Sequence, residues 1–237
     1  MSLLGIIGGS GLTSFEDLQL ERRSTGSVRW GRPSGPLLHG RVAGRPVVFM
    51  ARHGSDHALA PHEVNYRANV WALHEAGARR VIAVNAVGGI GERFRPGVLV
   101  VPHQLIDYSW GRAHTFCGEQ GEPLQHIDFT EPYSALMRAL LLAGAARAGL
   151  EAVDGGVYAV MQGPRLETAA EIDRLERDGC DLVGMTGMPE ASLARELGMA
   201  SSAIYRYFAS RDELITALVI DAYDDLGAAA EAGLTAA

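Results

Sequence analysis

Four short polar stops in this chain carry the groups that a doubly charged oxyanion needs. They are Gly8-Gly9-Ser10-Gly11, Arg52-His53-Gly54, Asn85-Ala86 with Gly88-Gly89, and Met185-Thr186-Gly187. Small hydroxyls, successive backbone N–H groups and one arginine can together replace the water around such an anion. Each stop directly follows an apolar run: Leu4–Ile7, Val47–Ala51, Val81–Val84 and Leu182–Gly184. Apolar runs closed by turn residues read as buried strands. In open α/β sheets, ligands bind outside the carboxyl ends of the strands. The pattern therefore predicts one anion site assembled from four strand tips.

Other chemistries fit these residues less well. As a dinucleotide fingerprint the first stop fails, because it runs Gly9-x-Gly11-x-x-Ser14 with no matching acidic residue after a second strand. It can equally be a tight glycine turn. His53, His57 and His62 lie close in sequence, but Pro61 interrupts the helical spacing and no carboxylate partner is evident, so no metal site is expected. His57 and His62 read as residues that cap or hydrogen-bond the following helix. Glu167, in the turn Gln162–Glu167, is either a helix-start carboxylate or a ligand contact. No Ser/His/Asp or Cys/His nucleophile set is apparent by spacing.

Composition narrows the field. The chain has 237 residues, 47% of them apolar and 21% charged, enough for one α/β domain with a full core. All 21 basic residues are arginine, which excludes a P-loop lysine, a Schiff-base lysine and a pyridoxal phosphate anchor. The net charge of −7 argues against a nucleic-acid partner. Cys117 and Cys180 form no CxxC and no disulfide framework, and no signal-peptide or membrane-spanning pattern is present. A cytoplasmic location is expected.

The elements that must position the stops alternate. Strands are expected over Leu3–Ile7, Pro46–Ala51, Arg80–Asn85, Val98–Ile106, Gly156–Met161 and Cys180–Thr186. Helices are expected over His62–Ala76, Pro132–Gly149, Glu167–Asp178 and Glu190–Gly198. Ser109–Thr130 reads as a long irregular excursion. After Met199 the texture changes. Ser201-Ser202 reads as the cap of a short helix over Ala203–Phe208, and Ser210 as the cap of a longer one.

Several long collinear stretches resemble the purine nucleoside phosphorylase superfamily, in its methylthioadenosine phosphorylase-type branch. They are GIIGGSGL (Gly5–Leu12), RHGSDHALAPHEVNYRANVWAL (Arg52–Leu73), VIAVNAVGG (Val81–Gly89), VPHQLIDY (Val101–Tyr108), HIDFTEPY (His126–Tyr133), QGPRLET (Gln162–Thr168) and VGMTGMPEASLARELG (Val183–Gly198). The resemblance implies an α/β phosphorylase fold, a central mixed sheet flanked by helices, over residues 1–198. It implies a homotrimer that phosphorolyses the N-glycosidic bond of a 5′-methylthio purine nucleoside, with inorganic phosphate as co-substrate and no cofactor. By position, Ser10, Arg52, His53, Asn85, Ala86 and Thr186 would hold phosphate, with Arg52, His53 and Thr186 catalytic through that positioning. Met185 would lie against the ribose, Leu166 and Glu167 near the base, and His126 near the 5′-methylthio pocket of a neighbouring subunit. Asn85 departs from the hydroxyl residue of the methylthioadenosine enzymes and is shared with the thioinosine type.

The resemblance is expected to stop at Gly198. Family members continue into a strand whose end recognises the purine, whereas residues 199–237 read as an atypical, all-helical tail. Residues 193–225 resemble part of the helix-turn-helix region of TetR-type repressors. From Glu190 onward, however, three arginines face eight carboxylates, which cannot supply the phosphate neutralisation that DNA binding rests on. The absent purine segment is expected to impair turnover. The alternatives are a catalytically dead phosphate- or nucleoside-binding protein, or a TetR-like DNA-binding regulator.

Overall fold

A computed structural model describes residues 3–205 apart from Thr13, Glu16, Ser27, Val28 and Gln120. The chain runs through β1 (Leu3–Gly8), β2 (Gln19–Ser24), β3 (Leu37–Val42), β4 (Arg45–Ala51), α1 (Tyr66–Glu75), β5 (Ala78–Asn85) and β6 (Gly88–Gly89). It continues through β7 (Leu99–Val101), β8 (Gln104–Asp107), α2 (Ala135–Arg147), β9 (Ala152–Asp154), β10 (Val157–Val160), α3 (Ala169–Arg177), β11 (Leu182–Gly184), α4 (Gly187–Glu196) and β12 (Ala200–Tyr205). Eight strands form a mixed sheet in the order β2-β3-β4-β1-β5-β12-β7-β9, and four form a second in the order β6-β11-β10-β8.

The first three stops meet because of register. β1 pairs in parallel with both β4 and β5, and Gly8 stands beside Ala51 on one side and Val84 on the other. Gly9, Arg52 and Asn85 therefore leave three adjacent strands at the same end. Strands flanked on both faces are expected to be apolar throughout, and β1 is. Leu4 and Ile6 pack with Val47, Phe49 and Leu141 of α2 on one face, while Ile7 packs with Val48, Met50 and Leu73 of α1 on the other.

Local chemistry sets the helix ends. α1 begins at Tyr66 rather than His62, because the Asn65 side chain accepts from the Ala68 N–H and caps it there. Thr168 and Glu171 form a reciprocal capping box at α3. The strand expected over Val98–Ile106 is two strands, β7 in the first sheet and β8 in the second. The Ser109–Thr130 excursion is anchored by Phe116, buried against Trp30 and Trp71 at ring separations of 5.2 and 5.6 Å.

The largest difference lies after Gly198. Ala200–Tyr205 is a strand and not the start of a helical tail. β12 lies in parallel beside β5, pairing Ser202 with Ile82 and Tyr205 with Asn85, and it touches β7 on its other side. Ser201, Ser202, Ala203 and Ile204 are all buried. Small side chains suit a strand closely covered by helices, and Ser134 N–H, at the cap of α2, donates to Ser201 C=O. Tertiary placement has overridden the local capping signal. The strand expected to be missing is present. The remainder of the helix expected over Ala203–Phe208, and the one expected after Ser210, lie outside the described residues.

Candidate active site

The four strand tips open into a cleft of about 730 Å³. Ser10, Arg52, His53, Asn85, Ala86 and Thr186 line one part of it, and Pro164, Leu166, Glu167 and Met185 another. His57 and the Ala58–Pro61 turn close a further side. The structure thus brings together every site residue expected from the sequence except His126, which is exposed and absent from the lining.

Arg52 also lines the cleft, and its guanidinium is held from within the fold. It is completely buried, and its guanidinium grips Glu190 in a two-pronged ion pair, Nε to Oε1 at 2.5 Å and Nη2 to Oε2 at 2.8 Å. Nη1 donates to Val84 C=O at 3.1 Å, and Nη2 donates to Asn85 Oδ1 at 2.8 Å. Burial works against the charge, but Glu190 more than offsets it and holds the guanidinium above its ordinary range. Arg52 stays ionised while its charge is balanced by a carboxylate 138 positions away. Gly9 must be glycine here, since a Cβ would come within 2.4 Å of Arg52 Nη1.

These bonds have a direction. Arginine can only donate, so Asn85 presents its oxygen to Arg52 and its amide NH2 to Thr186 Oγ1, at 3.1 Å. Thr186 Oγ1 is thereby used as an acceptor, and its own proton is aimed elsewhere. Thr186 is the N-cap of α4 yet makes no capping hydrogen bond. The relay Glu190–Arg52–Asn85–Thr186 therefore ends in a hydroxyl donor at the cleft, where Ser10 and Ala86 also lie. The fully buried Tyr158 fixes the same turn from below, its OH accepting from Thr186 N–H at 3.3 Å. Its ring also explains Gly187, where a Cβ would approach Tyr158 Cε1 to 2.4 Å.

His53 supplies a neutral partner. Its Nδ1–H donates to Leu59 C=O at 2.8 Å, which leaves Nε2 as an acceptor in the neutral ring. Burial first, then Arg52, lowers its pKa from 6.5 to about 4. His57 does not cap α1. It stands in the left-handed region at φ 53°, with its ring 4.6 Å from that of His53 and Nε2 3.4 Å from Ser10 Oγ. Gly88–Gly89, expected as part of a backbone anion nest, instead forms β6, paired antiparallel with β11. Among the described residues there is no cluster of His, Cys, Asp or Glu that could hold a metal, and no helix long and apolar enough to cross a membrane.

The histidine shifts predict an acid limit on stability. His53, His39 and His74 all titrate lower in the fold than in the open chain, each chiefly through burial. The unfolded chain takes up these protons first, so stability falls as pH drops from 6.5 towards 4. Urea unfolding at pH 7 and pH 4.5 should show this decline, and His53→Gln should reduce it. An unchanged decline in the variant would remove His53 from the explanation.

Sequence reasoning missed Glu190 and Tyr158. The available signal for Glu190 was a lone carboxylate among small and apolar residues over Gly187–Ala194. Tyr158 left none.

The chain matches the phosphorylase superfamily over residues 3–232. That match runs through the whole of the stretch 193–225 read as TetR-like, a resemblance that finds no support. The chain is 56% identical over 199 residues to a probable S-methyl-5′-thioinosine phosphorylase of Xylella fastidiosa, covering 83% of this chain and 79% of that one. It is 43% identical over 201 residues to an S-methyl-5′-thioadenosine phosphorylase of Pyrococcus furiosus, covering 84% and 76%. Its fold matches methylthioadenosine phosphorylase from Schistosoma mansoni in complex with tubercidin, with a TM-score of 0.88 and 31% identity over 96% of this chain and 92% of that one. With four strand tips converging on one cleft and these likenesses spanning most of its length, the chain belongs to the phosphorylase superfamily.

Proposed function

We propose that this protein cleaves the N-glycosidic bond of a 5′-methylthio purine nucleoside with inorganic phosphate, S-methyl-5′-thioinosine being the favoured substrate. The products are the free purine and 5-methylthioribose 1-phosphate. The observation that carries this reading is the relay from Glu190 through Arg52 and Asn85, which leaves the Thr186 hydroxyl as a donor at the cleft. The names borne by the relatives from Xylella fastidiosa and Pyrococcus furiosus support the substrate class.

Phosphate is a weak nucleophile, so catalysis rests on positioning and on fixed dipoles. In this reading Thr186 and Ser10 donate their hydroxyls and Ala86 its N–H to the phosphate oxygens, while His53 accepts from the phosphate's own P–OH. Arg52 orients Asn85 and supplies charge from behind. As the C1′–N9 bond breaks, a phosphate oxygen forms the new bond to C1′, and the purine departs with the bonding pair as an anion that takes a proton from solvent to become the free base. Met185 lies against the ribose, and Leu166 and Glu167 face the base. No cofactor is needed. In a homotrimer, His126 of a neighbouring copy would border the 5′-methylthio group, which fits its exposure in the single chain. The setting is a cytoplasmic purine salvage step.

The test is hypoxanthine release from S-methyl-5′-thioinosine in phosphate and in a phosphate-free buffer. Release only with phosphate is expected. Equal release in both would identify a hydrolase and overturn the proposal.

A further inference from the structure

Arg112 sits in the irregular excursion, and no motif singled it out. It is 9% exposed. It forms no ion pair with any described residue. Its guanidinium is instead surrounded by main-chain oxygen: Nη1 donates to Met185 C=O at 2.7 Å and Met188 C=O at 2.6 Å, and Nη2 donates to Met161 C=O at 3.2 Å and Gln162 C=O at 3.0 Å. Nη1 also reaches Tyr66 Oη at 3.4 Å, and that hydroxyl donates to Pro61 C=O. A buried cation held by carbonyl dipoles and one tyrosine, with no carboxylate among its described partners, is costly to keep, and truncating it would leave several acceptors unpaired.

The segments it gathers are walls of the cleft, and one of them, the turn from Met185 to Met188, also carries Thr186 at the end of the phosphate relay. Met161 and Gln162 begin the turn that carries Leu166 and Glu167. Met185 and Met188 bracket the turn into α4, and Pro61 ends the third wall. The first two turns also press on each other, since a Cβ at Gly163 would meet Met185 Sδ at 2.4 Å. A rigid fork with parallel donors can hold two turns at one spacing, which lysine's single point charge cannot do.

We infer that Arg112 is a positioning residue that sets the separation of the ribose and base walls, and hence nucleoside affinity, far more than phosphate affinity. This rests on the nucleoside phosphorolysis proposed above for the same cleft. The relay through Glu190, Arg52, Asn85 and Thr186 makes no direct hydrogen bond to Arg112, and the two meet at the Met185–Met188 turn, whereas the Met161–Gln162 and Pro61 walls are reached from the Arg112 side alone.

The experiment is calorimetric titration of S-methyl-5′-thioinosine, and separately of inorganic phosphate, into the wild-type chain and Arg112→Gln. Nucleoside affinity should fall about tenfold or more as the fork is lost, with phosphate affinity held within about threefold. Equal weakening of both ligands would reduce Arg112 to a general fold residue. No weakening of either would also overturn the inference. Should Arg112→Gln lose its cooperative thermal transition, Arg112→Lys carries the same comparison. A wild-type chain that binds the nucleoside but releases no purine would defeat the phosphorolysis proposal, while the ratio of the two affinities would still judge Arg112.

Discussion

Glu190→Ala is expected to lower the free energy of unfolding by about 3–5 kcal/mol, the usual consequence of removing one partner from a buried ion pair. Glu190 is 4% exposed and Arg52 not exposed at all, so the stranded guanidinium gains no access to water. Val84 C=O and Asn85 Oδ1 would remain as partners, but neither carries a charge. Urea denaturation of the two proteins measures the difference. A loss below about 1 kcal/mol would place the pair among weak surface bridges and contradict its buried geometry. The double variant Arg52→Met/Glu190→Leu separates stability from function. Replacing a buried pair with apolar side chains often restores stability, whereas the orientation of Asn85 would stay lost. A stable, inactive double variant is expected.

Thr186→Val should lower kcat/KM for phosphate on the order of 100-fold, the scale seen when one donor to a developing or bound oxyanion is removed. The change is close in shape but removes the hydroxyl that ends the relay. It also leaves Asn85 Nδ2 without its acceptor, at about 1–3 kcal/mol of stability. Thr186→Ser keeps the donor and should retain most activity. Steady-state kinetics with phosphate varied at saturating nucleoside measures both. If valine matched serine, the donor role of Thr186 would be wrong and the relay would be structural only.

The strand tips were legible because burial on both faces writes continuous apolar runs, as in Leu4–Ile7 and Val81–Val84, and each ends in glycine or a polar residue. Register then brings the first three stops together, through parallel pairing of Gly8 with Ala51 and Val84, while the fourth arrives from β11 in the second sheet. β2 and β3 were not anticipated; β2, Gln-Leu-Glu-Arg-Arg-Ser, is almost wholly exposed, so no burial pattern marks it. β12 was misread because Ser201-Ser202 is a sound cap by local rules, and only its neighbours β5, β7, α2 and α4 make small residues a strand requirement. Arg52 was identified as part of the site, but not its partner. An ion pair closed across 138 residues leaves no trace in local spacing, and it braces Arg52 where it also orients Asn85.

The account turns on phosphate ending up bonded to the sugar carbon that the purine leaves. Phosphorus NMR of the protein incubated with S-methyl-5′-thioinosine and inorganic phosphate observes that bond directly. A sugar 1-phosphate resonance growing in step with free hypoxanthine is the expected result. Hypoxanthine released while inorganic phosphate remains the sole phosphorus signal would contradict it.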